Sequence, residues 1–194
     1  MQKFVFPKFA QKLGKGFLLA ILLSLIIVSI GLALTLVSAD GIWSNATGSN
    51  GSPTCLRYLN TLDITDENMV RYGDDDGWGC TSDYTRQSGF GYDGVENLEV
   101  ITNTVFLLGE FTHYNRPIVA NSHLLTVDLA ISLDFSDPDI NTTLDYTIQL
   151  DETPNQRPCA YAGSTVCPDK VDLSDSIADQ IIGPIDGKYY KLQI

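Results

Sequence analysis

From Leu124 to Phe135 apolar and polar residues alternate. Leu125, Val127, Leu129, Ile131, Leu133 and Phe135 fall on one side of an extended chain, and Thr126, Asp128, Ala130, Ser132 and Asp134 fall on the other. A period of two is the signature of a strand with one buried and one wet face, so the first set is expected in the core. After the polar loop Ser136 to Asn141 the period returns, with Leu144, Tyr146, Ile148 and Leu150 opposed by Asp145, Thr147 and Gln149. Two such strands joined by a short polar loop predict an antiparallel hairpin. Shorter strands are predicted at Asn68 to Tyr72, Val105 to Thr112 and Tyr189 to Ile194, with turn residues between them. After Ala39 no segment carries a sustained 3.6-residue apolar stripe, although Leu173 to Ile182 suits a short helix or an irregular turn. The spacing predicts an all-β domain, an antiparallel β-sandwich of jelly-roll type.

The first 39 residues follow a different pattern. Lys3, Lys8, Lys12 and Lys15 precede an uncharged run from Phe17 to Val37, closed by Val37-Ser38-Ala39. Basic residues, an apolar run and small residues at its end describe an export signal. The run is also long enough to cross a bilayer as a helix. Two outcomes stay open: a signal peptide cut after Ala39, which the small residues favour, or a retained N-terminal anchor helix. In either case residues 1–39 are the signal or anchor, and the lysines stay on the cytoplasmic side. Residues 40–194 then form one exported domain, either secreted or tethered at the cell surface, that meets the membrane only through a retained N-terminal segment.

Charge narrows the partners. All 24 acidic residues lie after Ala39, against eight of the 12 basic ones. That excess repels nucleic-acid phosphates and anionic lipid alike, which excludes nucleic-acid binding. The four cysteines, Cys55, Cys80, Cys159 and Cys167, also lie in the exported part, where an even count reads as two disulfides. Three pairings exist, and local loops favour Cys55 with Cys80 and Cys159 with Cys167. Zinc would call for closer cysteine or histidine pairs.

Three stretches carry candidate chemistry. Thr112-His113-Tyr114-Asn115 follows a strand and precedes Pro117, and His113, Tyr114 and Asn115 are candidate binding residues. The competing reading is a corner whose polar side chains satisfy backbone groups that the turn leaves unpaired. A lone histidine favours the corner, because Ile118 and Val119 move the chain on before His123. Between Arg71 and Gly94, Trp78, Tyr84, Phe90 and Tyr92 are rings suited to stacking on a sugar, while Asp74, Asp75 and Asp76 are candidate calcium ligands. Calcium is the one cofactor considered, and a solvated acidic turn is its rival. Asp137, Asp139 and Asn141 have D-x-D-x-N spacing, but Thr142 and Ile148 stand where a calcium loop needs Gly and Glu. Asn45, Asn50 and Asn141 each match the glycosylation acceptor pattern. No nucleophile elbow, phosphate loop or metalloprotease helix is present, which leaves Glu110 and Glu152 as the carboxylates that a glycosidase-like pair would use.

Several of these blocks together resemble the choice-of-anchor K domain of secreted bacterial proteins. The resemblance rests on "FLLGEFTHYNRPI" at Phe106 to Ile118, the alternating strand after it, "ETPN" at Glu152 to Asn155, and Cys159 with Cys167 followed by Pro168-Asp169. The earlier blocks "GIWSN", "VRYG" and "QSGFGYDG" are similar as well. It implies a non-catalytic extracellular or cell-surface binding or structural module, with a surface glycan or matrix component as partner and no catalytic residues to carry over. A secreted carbohydrate-active enzyme is the alternative from a different class.

Overall fold

The computed structural model describes residues 33–61, 66–75, 77, 79–80, 82–101, 104–136, 139–154, 158–161, 167–173, 180–185 and 188–192. Residues 1–32, with the four lysines and most of the apolar run, lie outside this set. Among the described residues no helix is long and apolar enough to cross a membrane.

The chain is all-β, as its alternation predicts. In chain order the strands are β1 (Ala33–Gly48), β2 (Arg57–Leu59), β3 (Asn68–Tyr72), β4 (Ser88–Ile101), β5 (Gly109–Tyr114), β6 (Leu124–Ser136), β7 (Ile140–Asp151), β8 (Lys170–Leu173), β9 (Gln180–Ile185) and β10 (Lys188–Leu192), with a 3-10 turn at Tyr84–Arg86. Antiparallel pairing joins β2-β3-β4-β1-β6-β7-β8 in one open sheet, β5 adds to β4, and β9 with β10 forms a separate hairpin. β4 serves two sets of neighbours: Ser88 to Gly94 pairs with β3 and β5, and Val95 to Ile101 pairs with β1. The changeover falls at Gly94, where a Cβ would overlap the Ala39 carbonyl oxygen, so only glycine lets the two backbones approach.

Contacts across the interior join the two parts of the sheet. Trp43 of β1 stacks on Phe90 of β4 with ring centroids 5.9 Å apart, and Phe111 of β5 completes the group. The Trp43 indole donates to the Asn68 carbonyl at 2.8 Å, so its one polar atom is satisfied inside the core. Val127, Leu129, Ile131, Leu133 and Phe135 are buried with Leu144, Tyr146, Ile148 and Leu150, as the period of two requires. Each such side chain contributes about 1.5 to 3 kcal/mol on full burial. Leu125 departs from the expectation. It is exposed and Leu124 is buried in its place, because the β1–β6 register slips between Thr47↔Thr126 and Gly48↔Leu124 and the bulge reverses the alternation there.

β1 includes Ala39 and the six residues before it. Its first half pairs with β4 on one side and β6 on the other, and Leu34, Leu36 and Ala39 belong to the core. Past Ala39 it keeps only β6. The edge so exposed is covered by side chains: Asn60 accepts from the Trp43 amide at 3.1 Å and donates to the Trp43 carbonyl at 3.0 Å, and the Tyr58 hydroxyl accepts from the Ala46 amide at 2.7 Å. One asparagine thus makes the pair of bonds a neighbouring strand would make. The other short predictions shift modestly. Asn68–Tyr72 is a strand as expected, the Val105 to Thr112 prediction becomes Gly109–Tyr114, and the last strand is Lys188–Leu192. Part of Leu173 to Ile182 lies outside the described residues, and its end opens β9. Both local disulfides form, Cys55 to Cys80 and Cys159 to Cys167, with Cα atoms 5.2 and 5.3 Å apart.

Candidate functional site

Register across β3, β4 and β5 explains the Thr-His-Tyr-Asn stretch. Val70, Phe90 and His113 stand in one row and face the core, while Arg71, Gly89 and Tyr114 form the next row on the opposite face of the sheet, where Arg71 is nonetheless buried. A Cβ at Gly89 would overlap the Val70 carbonyl and the Arg71 side chain, so glycine opens the path by which Arg71 crosses β4. Its guanidinium lies 3.5 Å from the Tyr114 ring centroid and 5.9 Å from that of Tyr84, and donates to the Gln87 carbonyl at 3.3 Å. The Tyr114 hydroxyl donates to Glu67 at 2.5 Å. Of the rings suited to sugar stacking, Phe90 and Tyr92 are buried in the core, whereas Tyr84 meets the candidate binding residue Tyr114 through Arg71, which covers the nearer face of Tyr114 itself.

His113 points to the opposite side, into a buried polar corner. It packs on Phe90 at 4.9 Å, and its Nε2 lies 3.8 Å from Asp169 Oδ2. Burial lowers the His113 pKa, and the Asp169 carboxylate raises it by less. The imidazole is therefore neutral at pH 7, and the contact is not an ion pair in spite of its distance. The other Asp169 oxygen accepts from the Thr153 amide at 2.9 Å and the Thr153 hydroxyl at 3.3 Å. Glu152 receives the Tyr72 hydroxyl at 3.4 Å, and burial first, then Asp169, pushes its pKa up to about 8. Asn115 donates to the Cys167 carbonyl at 3.1 Å, and Ser88 bonds both the amide and the carbonyl of Arg116 beside Pro117. The stretch thus supplies backbone partners at the turn and ties β5 to the Cys159–Cys167 loop. His113 and His123 belong to different pairings, since β5 joins β4 whereas β6 joins β1 and β7.

The acidic loop is occupied from within. Asp74 accepts from the amides of Gly77 at 2.9 Å and Gly79 at 3.2 Å, and Asp75 faces Arg86 at 2.5 Å. Asp76 and Trp78 lie outside the described residues, as does Asp137. Among the described residues no group of three His, Cys, Asp or Glu side chains is placed to hold a metal ion. Glu110 and Glu152 are well separated. Glu110 pairs across from Asp93, whereas Glu152 contacts Tyr72 in the row of Ser88, five residues and about 17 Å away along β4.

The wet face of β1, β6 and β7 carries a feature that the sequence reading did not single out. A solvent-open groove of about 480 Å³ is lined by Ser38 and Asp40 from β1, Ser132, Leu133 and Asp134 from β6, and Asn141, Thr142 and Thr143 from β7. Register makes it: Ser38, Asp134 and Asn141 form one row, and Asp40, Ser132 and Thr143 the next. Ile42, 44% exposed, and Ala130 supply an apolar strip in the row beyond. Asp40 accepts from Asn68 at 2.8 Å, and burial raises its pKa against the opposing pull of the Gly41 amide and Asn68. The available signal was the polar half of the Leu124 to Phe135 alternation, but Ser38 and Asp40 flank the expected cut and so escape notice. Compared with known proteins, the chain matches no family model and no curated protein.

Proposed function

We propose that this chain is a non-catalytic extracellular binding module, a β-sandwich displayed by a bacterium, of the kind its resemblance to the choice-of-anchor K domain implies. Its ligand is a hydroxyl-rich molecule, a surface glycan or matrix polysaccharide. The observation that carries this reading is the groove over β1, β6 and β7. Its volume lies in the range of small-ligand sites, its walls offer hydroxyl, amide and carboxylate oxygens in register, and Ile42 borders it. Two disulfides suit an oxidising compartment. The test is a glycan array probed with the folded chain, with and without calcium. Ser132→Trp, which fills the groove, should abolish the signal, while Tyr84→Ala should retain it. Loss with Tyr84→Ala instead would return the site to the aromatic cluster.

One observation favours a carbohydrate-active enzyme as the second reading. Glu152, with a pKa near 8, is protonated at neutral pH beside a second carboxyl group, as a general acid would be. Against it stands the burial of Asp169, whose side chain is 1% exposed and whose Oδ1 is held by Thr153. Hydrolysis of a bound glycan that Glu152→Gln eliminates would establish the enzyme.

A further inference from the structure

The groove lies on a part of the molecule whose charge has one sign. Strands β1, β4, β6 and β7 carry eight Asp or Glu residues and no Lys, Arg or His. Among the described residues the arginines and lysines stand on β2, β3, β8 and β10 and in the connections after β3 and β5. Register sets the acids into the groove's own rows. Glu96, Ser38, Asp134 and Asn141 stand side by side across β4, β1, β6 and β7, and the next row holds Asp40, Ser132 and Thr143. Asp145 closes the row after that, opposite Ala130. Asp40 and Asp134 occupy neighbouring strands and neighbouring rows, which places their backbones roughly 8 Å apart by strand spacing and rise.

Within the chain these charges are not neutralised. None of the ion pairs among the described residues uses Glu96, Asp40, Asp134 or Asp145. Asp128, one row beyond, differs: Asn45 donates to one of its oxygens at 2.9 Å and Thr147 to the other at 2.8 Å. Carboxylates gathered along a groove without a counterion draw cations to it and repel anions. A metal ion asks for several oxygens converging on one point, and among the described residues no three acidic, His or Cys side chains converge. An ammonium group asks for less, one or two carboxylates in reach of its three donors, with neutral oxygens accepting the remainder. Ser132, Asn141 and Thr143 offer those oxygens, and Ile42 with Ala130 gives the carbon face of a sugar ring an apolar rest.

We propose that the groove selects a glycan with free ammonium groups, an oligosaccharide of de-N-acetylated amino sugar, and that Asp134 and Asp40 meet the ammonium while the neighbouring hydroxyl and amide groups hold the ring. This rests on the glycan reading of the groove and narrows it.

The test titrates the folded chain with oligosaccharides of glucosamine and of N-acetylglucosamine of equal length, and with oligolysine, at about pH 6, above the ordinary carboxylate range. The glucosamine oligomer should bind about tenfold tighter than its acetylated counterpart, a preference that added salt reduces by screening. Asp134→Asn keeps the shape and removes the charge, so it should erase the preference, and its melting profile shows that it is folded. Glu110→Gln, an equal change of charge on β5, should keep the preference. Equal affinity for the two sugars, or a preference that survives Asp134→Asn, overturns the inference and leaves the groove reading standing. Oligolysine bound as tightly as the amino sugar, with the same dependence on Asp134, overturns the sugar in favour of a basic peptide. Binding that persists in Ser132→Trp overturns the groove itself. Binding of neither sugar overturns the inference, while the glycan array still tests the groove.

Discussion

The buried corner around Asp169 and the groove around Ser132 are made of the same residue types, acids, hydroxyls and an asparagine, yet they are different objects. In the corner the partners that exist are the protein's own, Thr153 on Asp169, Tyr72 on Glu152 and the Cys167 carbonyl on Asn115, while His113 Nε2, Asn115 Oδ1 and Asp169 Oδ2 are buried without a hydrogen-bond partner. In the groove three strands bring polar side chains into rows that face solvent. Composition does not separate the two. Burial does, because a buried polar group is restricted to the partners the fold supplies and is costly where one is missing, whereas a group in water is free to exchange its partner for a ligand.

The strongest way to break this comparison is to release the loop that closes the corner. Cys167 is buried, its carbonyl is the acceptor for Asn115, and Asp169 follows two residues later. Replacing Cys159 and Cys167 with serine should cost about 2 to 3 kcal/mol, the loop-entropy value for so short a bridge. The measurement is the urea midpoint of the double variant against the parent. Loss of less than about 0.5 kcal/mol would mean that the corner holds without its loop.

Burial also sets a pH dependence. Glu152 has a folded pKa near 8, above its unfolded value, so between the two the folded state holds a proton that the unfolded chain has lost. Stability therefore falls as pH rises through that window, at about 1.4 kcal/mol per unit. His113 works the other way. Its folded pKa is depressed, so it removes stability only as pH drops below its unfolded value of about 6.5. From pH 6.5 to 8 Glu152 acts without that opposition, and the loss should be about 2 kcal/mol. Thermal unfolding across this range should show the fall in the parent and a flatter profile in Glu152→Gln. Parallel profiles would mean that Glu152 is solvated.

How much of this was legible follows from where each partner lies. The β6–β7 hairpin and Asn68–Tyr72 could be read because alternation is a local property. Leu125 could not, since the bulge that turns it outward depends on β1. The first half of β1 was hidden by its own composition: an apolar strand paired on both sides looks like the end of an apolar leader. Thr-His-Tyr-Asn was recognisable as a corner because Pro117 ends the strand, but its partners Cys167 and Asp169 lie more than 50 residues away in the chain. The groove required the registers of three strands, which no single segment contains.

The smallest expected effect is the sharpest test of the distinction. Asp134 and Thr143 line the groove on adjacent rows, and Thr143 is exposed. Truncating a side chain that faces water leaves its former partners hydrated, so no buried donor is orphaned and no cavity forms. Asp134→Ala and Thr143→Ala should each change stability by less than about 0.5 kcal/mol in urea unfolding. Thr153→Ala, a change of the same size at a buried hydroxyl bonded to the Pro168 carbonyl and Asp169, should cost about 1 to 2 kcal/mol. If the groove variants proved as costly as the corner variant, the groove's oxygens would be holding the sheet together rather than waiting for a ligand, and the two regions would be one kind of structure after all.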